Sequence, residues 1–160
     1  MENWLNRNIP GYDLLSAEEK ESIKNFSMLW SFFENYVLDT NANANRIQQK
    51  MTEWEDNNKL DMNNFIEHKN YFIQRYTENG ALNYRYDHLH LRNNDNPQLI
   101  QDVLLGNIND TASVLTAILI IVLRYRNNFF HGLKWEYGFQ KQLQNFNQAN
   151  SLLAKIIELE

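Results

Sequence analysis

Leu115-Thr116-Ala117-Ile118-Leu119-Ile120-Ile121-Val122-Leu123 is the stretch on which the fold turns, because it is apolar on every side rather than along one stripe. Asp110 stands ahead of it as a helix N-cap, with the helix running on through Thr111. Its β-branched residues would also suit a buried strand. No partner strands of comparable strength occur elsewhere, however, and an isolated strand leaves its backbone unsatisfied. A central helix is therefore expected. The run from Val114 to Leu123 is about half the roughly 20 residues that cross a bilayer, so it belongs in a core and no membrane partner is expected. A helix in a small bundle buries only part of its girth against neighbours, so an all-apolar surface predicts a second copy over the remainder, a homodimer.

Outward from this helix, the pattern stays helical. Ser16-Ala17-Glu18-Glu19 reads as a capping box. Ile23, Phe26, Trp30, Phe33 and Val37 then recur at three- and four-residue steps, a helix to about Leu38. Ile47, Met51 and Trp54 keep helical spacing, and Phe65, Phe72, Ile73 and Tyr76 suggest more helix before Asn79-Gly80 stops it. Whether these are one broken helix or two is open. Leu82, Tyr84 and Tyr86 alternate, which suits a short strand or an irregular connection as well as a helix. Phe139, Leu143, Phe146, Leu153 and Ile157 give the last helix. The expected fold class is all-α, an up-and-down bundle of four main helices with shorter elements in the middle.

At 160 residues and 43% hydrophobic, the chain buries one core, so a single domain over 1–160 is expected. The net charge of −5 gives no long-range attraction for a polyanion, and nucleic acid would have to bind at a local site. Cys is absent, which excludes disulfides and thiolate zinc sites. Met1 to Leu15 has no cationic stretch followed by an apolar run, so a secretory signal is not expected and the location expected is cytoplasmic.

Between Arg124 and Lys134 the chain reverses its sign: four of eleven side chains, Arg124, Arg126, His131 and Lys134, are cationic or can become so. A phosphodiester would need such a cluster. Arg126 offers a fork of donors for a phosphate, and His131, with a reference pKa of about 6.5, can exchange a proton near neutrality. Asn127 could hold the phosphate or the imidazole. Arg126 and His131 are five apart, roughly 140° around an unbroken helix, so they would converge only if the helix frays before Gly132. Read as structure, the same cations offset a helix dipole at its C-terminus.

Arg126-Asn127-Asn128-Phe129-Phe130-His131-Gly132 resembles the R-x4-6-H signature of the HEPN superfamily, in its form R-N-x-x-x-H with an aromatic or Leu before the His and Gly after it. As in that family, the motif follows a strongly apolar helix and precedes an amphipathic one. Phe26-Ser27-Met28-Leu29-Trp30-Ser31-Phe32-Phe33-Glu34 is similar to the first-helix pattern of small stand-alone prokaryotic members, and that likeness makes Glu34 a polar companion facing the site. The resemblance implies a dimeric helical bundle, metal-independent RNA cleavage, and a role in toxin–antitoxin, abortive-infection or antiviral systems. Arg126, Asn127 and His131 carry over as catalytic; Glu34, Arg124 and Lys134 would support them. No cofactor or metal is expected, and an antitoxin or other regulatory protein is a possible partner. HEPN toxins silenced by a nucleotidyltransferase carry Tyr two residues after the His, where this chain has Leu133. Glu34 could also simply pair with a neighbouring cation at the margin of the apolar stripe.

Asp87-His88-Leu89-His90 has alternate His residues but no further placed ligand, so packing or surface His is the expected reading. The Trp residues at 4, 30, 54 and 135 read as core or interface anchors. Two further readings stand beside the nuclease: a HEPN-like module that binds RNA or protein without cutting, and a purely structural helical dimer.

Overall fold

Ser16 caps its helix on both sides: its hydroxyl accepts from the Glu19 amide at 3.1 Å and its own amide donates to the Glu19 carboxylate at 2.9 Å. The computed structural model that carries this box describes residues 1–130 and 142–160. Among the described residues are eight α-helices: α1 (Glu2–Asn8), α2 (Ala17–Tyr36), α3 (Ala44–Asp56), α4 (Ile66–Tyr76), α5 (Tyr84–Asp87), α6 (Pro97–Leu104), α7 (Thr111–Phe130) and α8 (Leu143–Ile157). The chain is mostly helical, as its sequence pattern predicts.

The question of one broken helix or two resolves into two, because α3 ends at Asp56 and α4 begins at Ile66. Asn79-Gly80 does more than stop α4. Both residues have positive φ, 52° and 76°, and they form the two-residue turn of a small antiparallel hairpin, β1 (Thr77–Glu78) with β2 (Ala81–Leu82). Asn-Gly suits this turn because Gly, lacking Cβ, enters the left-handed region without strain. The alternating stretch after it divides between β2 and the one-turn α5, with Asn83 capping α5 through its side-chain oxygen. Helix α6 has no counterpart in the sequence expectation. Phe139, expected in the last helix, lies outside the described residues.

Helix α7 occupies the centre. Asp110 caps it as expected, accepting from the Ser113 amide at 2.9 Å. Helices α3, α4 and α6 pack on it, and α2 packs lengthwise against α8. Their buried side chains form one continuous core with Phe26, Trp30, Phe33, Trp54, Phe72 and Phe146 among its large members. Every residue of α7 from Val114 to Tyr125 is no more than 5% exposed within a single chain. The chain's own helices thus supply the cover that the apolar pattern predicted from a second copy.

Of the four Trp residues, Trp30 and Trp54 are buried core members, whereas Trp4 is largely exposed. Trp135 lies outside the described residues. Among the described residues, no helix is long and apolar enough to cross a membrane.

Candidate functional site

The last turns of α7 send consecutive residues to different neighbours, as a 100° step per residue requires. Arg124 and Asn128, four apart, share the face toward the connection between α5 and α6. Arg124 Nε donates to the Leu89 carbonyl at 3.3 Å, Asn128 Nδ2 donates to the same oxygen at 3.2 Å, and Arg124 Nη2 donates to Asn128 Oδ1 at 3.3 Å. Asp95, itself buried, lies 3.6 Å from Arg124 Nη1. Burial lowers the pKa of this guanidinium, and Asp95 opposes the shift. Arg124 is therefore an internal fastener. The sequence placed it among the supporting cations of the site, but its head is enclosed and turned to Leu89 and Asp95, away from solvent.

Tyr125 points into the core, where its hydroxyl meets that of Tyr76 at 2.5 Å. Burial pushes both phenols above their ordinary pKa, so they stay neutral.

Arg126 leaves the helix toward α2. Its Nη2 lies 3.7 Å from Glu34 Oε2, and its Nη1 donates to Asn127 Oδ1 at 3.1 Å. The same Glu34 oxygen accepts from Trp30 Nε1 at 2.8 Å. Trp30 and Glu34 are one helical turn apart, so the buried indole fixes the carboxylate at the rim of the core. Arg126 and Glu34 are each about one-third exposed, at 34% and 27%, which leaves their pair accessible to solvent. Of the expected site residues, catalytic Arg126 and Asn127 and supporting Glu34 therefore come together, across two helices that are 92 positions apart at these residues, counting from 34 to 126. His131 and Lys134 lie outside the described residues.

Glu34 also lines an open groove between the outer face of α2 and the C-terminal half of α8, with Met28, Leu29, Phe32, Ile157 and Glu158. Met28, Phe32 and Tyr36 are exposed at four-residue steps, and the Phe32 and Tyr36 rings stack at 5.1 Å.

Comparison with family models, with curated proteins and with solved structures finds no match. A guanidinium beside a carboxylate and an amide, one-third open to solvent, is of the chemical type that grips an anionic oxygen through parallel hydrogen bonds. It can equally act as a finished ion pair that ties α7 to α2.

Three features escaped the sequence reading. Helix α6 had a visible signal in Asn96-Pro97, with Pro at the first helical position and Ile100, Val103 and Leu104 on one face. The Tyr76–Tyr125 contact had none, since nothing local links two tyrosines 49 apart. Nor did the pairing of buried His68 with Ser151, at 3.1 Å between Nε2 and Oγ. The His88 and His90 rings sit 6.3 Å apart, and among the described residues no three metal-ligating side chains cluster.

Proposed function

We propose that the chain is a HEPN-type endoribonuclease working without a metal, of toxin–antitoxin, abortive-infection or antiviral kind, acting on RNA in the cytoplasm. The observation that carries the reading is the pairing of Glu34 with Arg126, whose other terminal nitrogen donates to Asn127, a meeting expected from the first-helix and motif patterns. In this reading the four long helices α2, α3, α7 and α8 form the up-and-down bundle.

Arg126 binds the phosphate and stabilises the charge that accumulates on its equatorial oxygens, while Asn127 holds it in register. His131 takes the proton of the 2′-hydroxyl. The 2′-oxygen then bonds to phosphorus, the bond to the 5′-oxygen breaks, and that oxygen leaves with the proton handed on by the His131 imidazolium. The products carry a 2′,3′-cyclic phosphate and a 5′-hydroxyl. Glu34, anchored by Trp30, aims the guanidinium. Lys134 adds charge for the backbone, and Arg124 supports only from within.

A second copy docks, in the same proposal, on the exposed α2 stripe of Met28, Phe32 and Tyr36, which adjoins Glu34 and would bring two sites together across the axis. An antitoxin or other regulatory protein would compete for that face. A sedimentation mass of one 19.2 kDa chain at micromolar concentration would defeat the dimer without touching the chemistry.

One observation favours a different reading. The carboxylate beside Arg126 already neutralises part of its charge, which suits a HEPN-like module that binds RNA or protein without cutting. Incubation with RNA in excess chelator decides between them. Cyclic-phosphate ends, lost in both His131→Ala and Arg126→Ala, support the nuclease; retention of intact RNA supports the binding module. Growth arrest of a bacterial host on expression, relieved by His131→Ala, is the cellular form of the same test.

A further inference from the structure

Helices α2 and α8 bring their C-terminal ends to the open groove between them, and both ends are negative. The carbonyl end of a helix carries partial negative charge, which a basic residue in the last turn commonly offsets. Helix α2 has no such residue and carries Glu34 there instead. Helix α8 has Lys155, but its ammonium donates to the Asn64 carbonyl at 2.8 Å, and Glu158 stands at the cap. Among the described residues that line the groove, the charged side chains are Glu34 and Glu158, and no cation joins them. Arg126 meets Glu34 from α7, whereas Glu158 is exposed and has no ion pair among the described residues.

Thr40 lines the same end. Its amide donates to the Glu34 carbonyl at 2.9 Å, and it does so at φ 63°, directly after Asp39 at φ 52°. A β-branched residue is an outlier in that left-handed region, where Gly would sit without strain. Backbone energy is thus spent on keeping a Thr at the groove. Away from this end the lining turns apolar, through Met28, Leu29 and Phe32 of α2 and Ala154 and Ile157 of α8. Met28 and Phe32 are 65% and 51% exposed. From Asn25 to Glu34 the α2 wall runs about 13 Å, roughly two and a half turns. The volume of 1290 Å³ exceeds the roughly 300–1,000 Å³ of small-molecule sites, so the groove suits a segment of another protein.

We propose that this groove receives an amphipathic helix of a partner protein, with its apolar face on Met28, Phe32 and Ile157 and a Lys or Arg at the end lined by Glu34, Thr40 and Glu158. An apolar helix face laid into a groove is a recurring mode of recognition, and the flexible thioether of Met28 adapts to side chains of different shape. The cation answers two carboxylates and two helix C-termini at once, which selects a basic helix over an acidic one. Such a helix and a second copy on the α2 stripe exclude each other, because both cover Met28 and Phe32. It thus deepens the reading above by naming the chemistry of the competing regulatory protein; its role rests on that reading, and its binding does not depend on RNA cleavage.

The test is fluorescence anisotropy with a labelled peptide of about 15 residues, roughly four helical turns, that carries Leu along one face and Lys elsewhere. Its controls are the same residues in scrambled order and the same Leu pattern with Glu in place of Lys. The protein should bind the first peptide and neither control. Phe32→Ser leaves the net charge at −5, so bulk attraction stays, and it should weaken binding roughly tenfold. Glu158→Lys should weaken it several-fold. Thr40→Gly keeps the amide and relieves the left-handed strain, so it should raise the urea midpoint while weakening the peptide, a pair of effects that a Thr kept only for the fold would not give. No binding by the wild type, equal binding of either control, or unchanged affinity in any of the three folded variants would overturn the proposal. So would a dimer that Phe32→Ser dissociates and the peptide does not, which gives the groove to a second copy, or Phe32-dependent binding to phosphatidylglycerol vesicles, which gives it to a membrane. Cleavage of RNA without peptide binding defeats the partner helix alone. Peptide binding without cleavage defeats the nuclease reading alone.

Discussion

Replacing Asp95 by Ala should cost the protein about 3 kcal/mol, because it strands Arg124 inside the fold. Arg124 is 3% exposed and Asp95 5%, so neither charge has water to fall back on. Removing one partner of a buried pair typically costs about 3–5 kcal/mol, most of it the penalty of an uncompensated charge. Two features put this pair at the lower end. Its 3.6 Å separation is too long for a hydrogen bond, and the guanidinium keeps the Leu89 carbonyl and Asn128 as partners. The Arg92 amide also loses its acceptor, which adds a smaller amount. Urea unfolding followed by circular dichroism and Trp fluorescence measures the change. With an m-value of about 2 kcal/mol/M, the midpoint should fall by about 1.5 M. The companion Asp95→Leu/Arg124→Met should recover most of the loss, since a buried pair replaced by apolar residues is often near neutral. A midpoint shift for Asp95→Ala below about 0.3 M would show that water reaches the guanidinium, and a double variant worse than the single would show that the charge is not what matters.

Glu34→Gln keeps an acceptor for the Trp30 indole while releasing the Arg126 guanidinium from its carboxylate. If Arg126 meets phosphate, RNA affinity should rise a few-fold and its logarithmic salt slope should steepen by up to about 0.7; unchanged binding would place Arg126 outside the contact. Tyr125→Phe should destabilise by about 1–3 kcal/mol by orphaning the buried Tyr76 hydroxyl, and Tyr76→Phe/Tyr125→Phe should cost less than the single change, as read in urea midpoints. Stability should fall as pH drops below about 6.5, the unfolded value for His. Burial lowers the folded pKa of His68, Lys155 lowers it further and Glu67 pulls it back, so the unfolded chain binds the proton first and this contribution is full above that pH. His68→Gln should remove that part of the slope, and a slope that persists would assign it to other groups.

The helices that sequence made legible are those whose signal is local. The Ser16–Glu19 box, the Asp110 cap and the stripe of Phe26, Trp30 and Phe33 each state their geometry within a few residues. The apolar run of α7 was legible as a core helix but not as one enclosed by its own chain. Its cover includes α6, a short helix whose signal is three apolar residues after a proline. Pattern also singled out Arg126 and Glu34, which the structure brings together as an ion pair. Their neighbour Arg124 was misplaced because a row of cations in sequence does not reveal that alternate residues of a helix diverge by about 200°. Leu89, the acceptor that takes Arg124 inward, lies 35 residues away in a loop of mixed pattern.

The enclosure of α7 sets the tempo at which its backbone amides can trade hydrogen for deuterium. With no exposed side from Val114 to Tyr125, no partial opening frees those amides without dismantling the surrounding helices. Their exchange should report the whole molecule's unfolding free energy, and one helix serves as a gauge for every variant above. Arg126 and Asn127 stand at the end of that slowest rod, so the groups that meet RNA in our proposal are carried by the least yielding part of the chain.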